Sequence, residues 1–271
     1  MKVNALTDIG KVKTNNEDLY YYDIEHGLFM VSDGMGGHNS GEVASKEVVE
    51  SFKQEVLEKE NYELFDVYRK TNNKIIKMGE SDPKYHKMGA TLVLLKKNRK
   101  NVEVFNLGDS RVYRIFKKKN KWLIEQITKD HTRVSELVAE GKMNEEEAEN
   151  HPWKHILSKY FGNTKTNNEP DIKTIIFKKN EFYLLCTDGL SNAVSDKDIL
   201  YEIRKKGVDA VSSLIDKANE NGGEDNITAM IVQVEKKDLK KDYFPTFNKL
   251  FRMFKKKNKQ SKFGGDRCSN Y

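Results

Sequence analysis

Phe29-Met30-Val31-Ser32-Asp33-Gly34 carries the pattern that decides the fold, and Phe182-Tyr183-Leu184-Leu185-Cys186-Thr187-Asp188-Gly189 repeats it. Each is an apolar run that ends at a carboxylate and then at a glycine. A buried strand that stops this way aims a hard anionic oxygen at a fixed point. Asn16-Glu17-Asp18 near the start and Glu224-Asp225-Asn226 near the end can converge on the same spot. Carboxylates brought together in a folded core must be neutralised, because unpaired buried charge is very costly. A divalent cation does this with the fewest groups, so the chain reads first as a metal-dependent enzyme with oxygen ligands.

Short strand-like runs recur outward from these two. They are Leu19 to Tyr22, Leu28 to Val31, Thr91 to Leu95, Val102 to Leu107, Val112 to Phe116, Trp122 to Ile127, Lys173 to Phe177, Phe182 to Cys186 and Thr228 to Val234. Tight turn signals at Lys97-Asn98-Arg99 and Lys118-Lys119-Asn120 join neighbours as antiparallel hairpins. Helical periodicity is confined to longer blocks. From Gly41 to Glu60, the residues Ala44, Val48, Phe52 and Val56 form one apolar stripe, and Leu64 to Met78 and Val208 to Asn219 read similarly. The expected fold is α+β, a four-layer αββα sandwich of two stacked antiparallel sheets flanked by helices. Residues 131–163 differ in texture. They hold two short helical patterns, Val134 to Gly141 and Asn144 to Glu149, broken by His151-Pro152-Trp153, as in an insertion that covers a site.

The chain has 271 residues, 37% of them hydrophobic, enough for one large domain with an appendage. Its net charge of +6 is uneven: residues 236–271 hold 12 Lys and Arg against 3 acidic residues, leaving residues 1–235 at −3. A nucleic-acid reading from overall charge would therefore mistake a tail property for a body property. Cys186 sits in an apolar run and Cys268 in the polar tail, which is neither a disulfide framework nor a zinc pattern. Met1 to Asp8 lacks the apolar stretch of a signal peptide, and no window reaches the roughly 18 consecutive apolar residues of a membrane span. A soluble, cytoplasmic body is the expectation.

The loop Asp33-Gly34-Met35-Gly36-Gly37-His38-Asn39-Ser40-Gly41-Glu42 follows a strand and opens a helix, which invites a nucleotide-binding reading. A dinucleotide fingerprint from Gly34 needs glycine where Asn39 stands. A P-loop from Gly36 needs lysine where Glu42 stands. What survives is a glycine loop that lets backbone crowd a metal. Asn106-Leu107-Gly108-Asp109-Ser110-Arg111 and Glu224-Asp225-Asn226 are each ordinary turns if taken alone. Four acidic clusters at four strand tips are harder to explain as independent turns. Oxygen ligands without paired His or Cys favour Mg²⁺ or Mn²⁺ over Zn²⁺. Two such ions a few ångströms apart suit phosphate-ester hydrolysis; a structural Ca²⁺ site is the competing reading.

At these residues the chain resembles the protein phosphatase 2C family, the metal-dependent (PPM) serine/threonine phosphatases, in its compact bacterial form. The similarity covers about residues 1–234. It runs through Thr7 to Asp18, Val31 to His38, Gly89 to Leu92, Asn106 to Arg111, Ile127 to Thr132, Thr187 to Leu190 and Glu224 to Thr228, in order. The resemblance implies that Asp33 bridges two metal ions, Mn²⁺ or Mg²⁺. It implies that the Gly34 carbonyl binds one, that Asp188 and Asp225 bind the other, and that Glu17 and Asp18 hold the water shell. Asp109 would help hold a third, weaker ion. It further implies direct attack of metal-activated water on phosphorus, with no Ser or Cys nucleophile, and that residues 131–163 form a flap near the substrate groove.

Four positions depart from the family pattern. Lys13 stands five residues before Asp18, where an Arg usually grips the substrate phosphate; Lys keeps the charge but loses the fork. Met35 replaces the histidine that many eukaryotic members place two residues after the bridging Asp, and His38 reads as a loop-stabilising residue. Lys154 and Lys159 stand where relatives often carry Arg. The expected organisation is a phosphatase domain at 1–235 and a basic tail at 236–271. In the tail Phe247, Leu250, Phe251 and Phe254 share a helical face that could lie on an anionic membrane surface. The expected partners are phosphorylated proteins and their cognate Ser/Thr kinase, with no specific nucleic acid, and the expected state is a monomer. The alternative from another class is a pseudophosphatase that binds phosphoproteins with little turnover.

Overall fold

A computed structural model of the chain describes residues 1–37, 40–59, 61–98, 101–165, 167–235 and 238. Two five-stranded antiparallel sheets form its centre. In spatial order the first runs β1 (Lys2–Asp8), β12 (Ile227–Gln233), β11 (Phe182–Cys186), β8 (Arg111–Lys118) and β9 (Lys121–Gln126). The second runs β10 (Asp171–Ile176), β7 (Asn101–Leu107), β6 (Leu92–Asn98), β3 (Leu28–Ser32) and β2 (Leu19–Asp23). A two-residue ladder pairs β4 (Gly34–Met35) with β5 (Gly89–Ala90).

The apolar strands are continuous rather than alternating because both of their faces are covered. Leu28 and Met30 of β3 pack under α1 (Ser40–Glu58) and α2 (Leu64–Ser81), while Phe29 and Val31 point to the other sheet. In β11, Leu184 and Cys186 face α6 (Asp196–Lys206) and α7 (Ala210–Glu220), while Tyr183 and Leu185 face inward. Three apolar layers result: helix against sheet, sheet against sheet, sheet against helix. This is the expected αββα sandwich. The hairpin at Lys118-Lys119-Asn120 also forms, with φ positive at both Lys119 and Asn120, as a twist-matched two-residue turn requires.

The inserted segment carries α3 (Arg133–Ala139) and α4 (Glu145–Glu149), the latter closed by a reciprocal Asn144–Glu147 capping box. Its neck is narrow: Ser158 N–H donates to the His131 carbonyl and Arg133 N–H to the Ile156 carbonyl. Two of the longer elements differ from the sequence expectation. Strand β1 was not anticipated because it is an edge strand with one buried apolar side chain, Ala5, and one partner, β12. Helix α6 was missed because its buried residues reduce to Ile199 and Ile203 among charges. Asp238 is buried against the Met1 amine at 2.6 Å. The rest of the tail, with its Phe247–Phe254 face and Cys268, lies outside the described residues, as does His38. Among the described residues no helix is long and apolar enough to cross a membrane.

Phe52 of α1 meets Phe105 and Phe161 edge-on, with ring centroids 5.1 and 5.8 Å away. Phe52→Ala should cost about 3–5 kcal/mol, read from the urea midpoint. Lys96 is buried at the end of β6, its ammonium donating to the His26 carbonyl at 2.6 Å, and burial pushes its pKa down to about 8. Between about pH 8 and the free-lysine range near 10 the unfolded chain holds a proton that the folded chain has released. Folding stability should therefore rise through that window and be flat there in Lys96→Met; a wild-type curve without the rise refutes it.

Candidate active site

Each carboxylate of the site is placed by an element end, and each backbone there is clamped by side chains from elsewhere. Asp33 follows the last residue of β3. Its N–H donates to Thr91 Oγ1 (3.0 Å), and its carbonyl accepts from Thr91 N–H (2.8 Å). Thr91 Oγ1 also meets Ser110 Oγ at 2.7 Å, which ties the Asp33 turn to the Asp109 turn. At Gly34 a Cβ would fall 2.1 Å from the Gly41 carbonyl oxygen and 2.7 Å from that of Glu17, so no larger residue fits. The Gly34 N–H donates to the Glu17 carbonyl (3.1 Å), and the Glu17 carboxylate lies over Gly41.

Asp18 is buried just before β2. Its Oδ2 accepts from Thr187 Oγ1 (2.8 Å) and Thr228 Oγ1 (2.7 Å), residues at the end of β11 and near the start of β12. Asp188 opens α5 (Asp188–Ser191) and accepts from Asn192 Nδ2 at 3.1 Å. His155 of the inserted segment stands 4.0 Å from the same Asp188 oxygen. Asp225 precedes β12 and holds Lys13 Nζ at 2.7 Å. Asn226 stitches this end to the N-terminal loop. Its Oδ1 accepts from Glu17 N–H (2.8 Å), and its Nδ2 donates to the Ile9 and Asn15 carbonyls (2.9 Å each).

The crowding registers in the protonation of the group. Burial first, then the charges of Asp18, Asp188, Asp109 and Asp225, raise the Asp33 pKa well above the usual carboxylate range. Burial dominates at Asp18 as well, lifting it to about 7 against the two threonine hydrogen bonds, with Asp188 and Asp225 adding repulsion. Asp109 is raised by burial and by Asp188 and Asp130; Asp188 is raised by burial and by Asp225. Four aspartates drawn from residues 18 to 188 are thus raised, and the charge of Asp225 adds to the shift at three of them, Asp18, Asp33 and Asp188. Burial lowers the Lys13 pKa, but the Asp225 hydrogen bond and the charges of Asp225, Asp33 and Glu17 outweigh it, and the net shift is upward. Its pair with Asp225 is exposed, at 43% and 40% for the two side chains, so it contributes roughly 1 kcal/mol or less and is readily exchanged.

The donor set fits hard divalent cations. The oxygens are carboxylates and a backbone carbonyl, and Asp18 Oδ1 and Asp188 Oδ1 are buried without a hydrogen-bond partner. Among the described residues no three His, Cys, Asp or Glu side chains form a closed ligand cage. Ions such as Mg²⁺ keep several waters and take only one or two carboxylates each, so no such cage is needed. Sequence reasoning found every carboxylate but missed the residues that orient them: Thr91, Ser110, Thr187, Thr228 and Asn226. The signal available was a hydroxyl or amide side chain next to, or within a few residues of, an acidic turn, as in Thr187-Asp188 and Asp225-Asn226-Ile227-Thr228.

Comparison with known proteins agrees with this geometry. The serine/threonine phosphatase stp of Listeria monocytogenes is 33% identical over 246 residues, 86% of this chain and 96% of that protein. The serine/threonine phosphatase of S. agalactiae superposes with a TM-score of 0.78 at 32% identity, over 86% of this chain and 99% of that one. The catalytic domain of the serine/threonine protein phosphatase PstP, solved with two manganese ions, superposes at 0.75 with 32% identity, over 87% and 98%. The Protein phosphatase 2C profile matches residues 10–231, which span β2 through nearly all of β12 and take in all five aspartates. On its fold, its acidic centre and these relatives together, the chain belongs to the protein phosphatase 2C family.

Proposed function

We propose that the chain removes phosphate from phosphoserine and phosphothreonine in proteins, opposing a cognate Ser/Thr kinase and acting as a monomer. The observation that carries the reading is the convergence of five aspartates, four of them raised by burial and by the charges of their neighbours, beside an exchangeable lysine. Asp33, the Gly34 carbonyl, Asp188 and Asp225 would hold two divalent cations, Mn²⁺ or Mg²⁺. Asp18 and Glu17 would fix their water, and Asp109 a third, weaker ion. Bound there, such ions supply the positive charge that admits a phosphoryl dianion and make water acidic enough to attack phosphorus.

The chain's own residues do the rest. Thr187 and Thr228 hold Asp18 in one orientation, and Thr91 fixes the Asp33 backbone from both sides. Lys13 leaves its weak pair with Asp225 to meet the incoming phosphate as a point charge. Cys186, the cysteine among the described residues, is no nucleophile: it is fully buried, and burial pushes its thiol up to about 12. The catalytic unit is residues 1–235 with the flap at 131–163, and the basic tail lies outside it. A phosphoprotein-binding role without turnover has no support, since the relatives carry phosphatase names and every carboxylate is retained.

Hydrolysis of a phosphothreonine peptide should need added Mn²⁺ or Mg²⁺ and stop in EDTA. Asp33→Asn and Asp188→Asn should each lower kcat/KM at least roughly 100-fold. The same two variants should melt higher than wild type in EDTA, because each removes one of several crowded charges. Full metal-dependent turnover in either variant refutes the assignment. Lys13→Arg should lower the phosphopeptide KM severalfold by restoring a bidentate grip, whereas Lys13→Ala should raise it.

A further inference from the structure

The segment from Thr128 to His131 grips the residues on both sides of Asp109. Asp130 takes the Arg111 guanidinium at 2.7 Å from Nη2 and 3.0 Å from Nε, and Thr128 Oγ1 accepts from Val112 N–H at 3.0 Å. His131 takes the other side. Its N–H donates to the Gly108 carbonyl (3.0 Å), and its ring Nδ1 accepts from the Gly108 N–H (3.2 Å). One residue thus holds both backbone groups of the residue before Asp109, as Thr91 holds those of Asp33.

Three features set this grip apart from packing. Gly108 lies at φ +111°, and a Cβ there would fall 2.5 Å from Thr91 Cγ2, so the turn is closed on its far side as well. The ring bond also selects a tautomer. Nδ1 can accept from an N–H only with its lone pair free, so the proton sits on Nε2, which stands 3.4 Å from Asp171 Oδ2. Burial first, then the Lys159 charge, lower the pKa of this buried ring against the pull of Asp171 and Asp130, which keeps it neutral. Finally, His131 opens the inserted segment. Its carbonyl accepts from Ser158 N–H (2.9 Å) where that segment closes, next to the Thr132–Leu157 bridge.

We infer that His131 is a positioning residue for Asp109: Nδ1 and its own N–H fix the Gly108 backbone, and its carbonyl ties that turn to the neck of the inserted segment. It rests on the reading of Asp109 as a ligand of a third, weaker ion, and gives His131 no contact with ion or substrate. A ring with its proton on Nδ1 would set one N–H against another and release Gly108. The nitrogen that matters is therefore Nδ1, and a side chain that replaces only Nε2 cannot substitute for it.

Two substitutions separate the ring nitrogens. In His131→Asn the new Oδ1 takes the place of Nδ1, whereas in His131→Gln the amide reaches only the place of Nε2. Electron paramagnetic resonance of free Mn²⁺ follows the weakest bound ion without turnover. His131→Gln should weaken that ion roughly 10- to 100-fold, while His131→Asn stays within about threefold of wild type. A histidine that only fills space would give parallel losses. Equal weakening in the two variants, or none in either, overturns the inference. Asp109→Asn tests the underlying reading: if the weakest Mn²⁺ binds as before, Asp109 is no ligand and that reading fails. Hydrogen exchange of the Gly108 and Asp109 amides in EDTA then decides His131 alone. Exchange should be faster than wild type in His131→Gln and unchanged in His131→Asn; equal rates in all three overturn the inference. Wild type itself supplies a check that no misfolded variant can spoil. ¹⁵N NMR of labelled histidine at neutral pH should show His131 with a bare Nδ1 and a protonated Nε2, and the opposite tautomer overturns the inference.

Discussion

Like charge forced into one small volume is the constraint on which this structure depends. Burial raises the pKa of the aspartates at 18, 33, 109 and 188, and the charges of their neighbours, Asp225 among them, raise them further. Left alone, such a cluster would push its loops apart. The fold resists by fixing backbone as well as side chains. Thr91 holds Asp33 by two hydrogen bonds, Asn226 holds three separate backbone groups of the N-terminal loop, and Gly34 and Gly41 give up side chains so that neighbours can close in.

The two sheets divide this task. Asp33 and Asp109 leave strands of one sheet, and Asp188 and Asp225 flank strands of the other. The site thus sits across the edge of the sandwich, and its spacing is set by how the inner faces pack. Phe29, Val31, Tyr183, Leu185 and Met230 belong to that inner layer. A core residue two positions from an aspartate of the site, such as Val31 from Asp33, therefore sets the spacing of the carboxylates as well as stabilising the fold.

The sandwich and the carboxylates were legible in the sequence because both leave strong local signals. Strands covered on two faces read as unbroken apolar runs, and a carboxylate followed by glycine at the end of such a run stands out. Strand β1 was not legible, since an edge strand with one buried side chain leaves no periodic mark. The orienting residues were not legible either. Asn226 is polar, lies in a turn, and makes its bonds to residues more than 200 positions away, so nothing near it in the chain reveals them.

The pairing of β1 with β12 joins Lys2 to Gln233, nearly the whole described length of the body. Threonine hydroxyls on both sides of that seam, Thr7 and Thr228, touch at 2.7 Å, and Thr228 then holds Asp18. A chain being synthesised cannot assemble this centre piecemeal. Asp33 emerges roughly 10–40 s before Asp225 at ordinary translation rates of about 5–20 residues per second. Throughout that interval the first sheet lacks its second strand, and the acidic centre lacks its fifth aspartate. Such long-range closure also places the chain among slow folders. The acidic centre is therefore completed in one step, when the last strand inserts between the first and β11, and not by degrees along the ribosome.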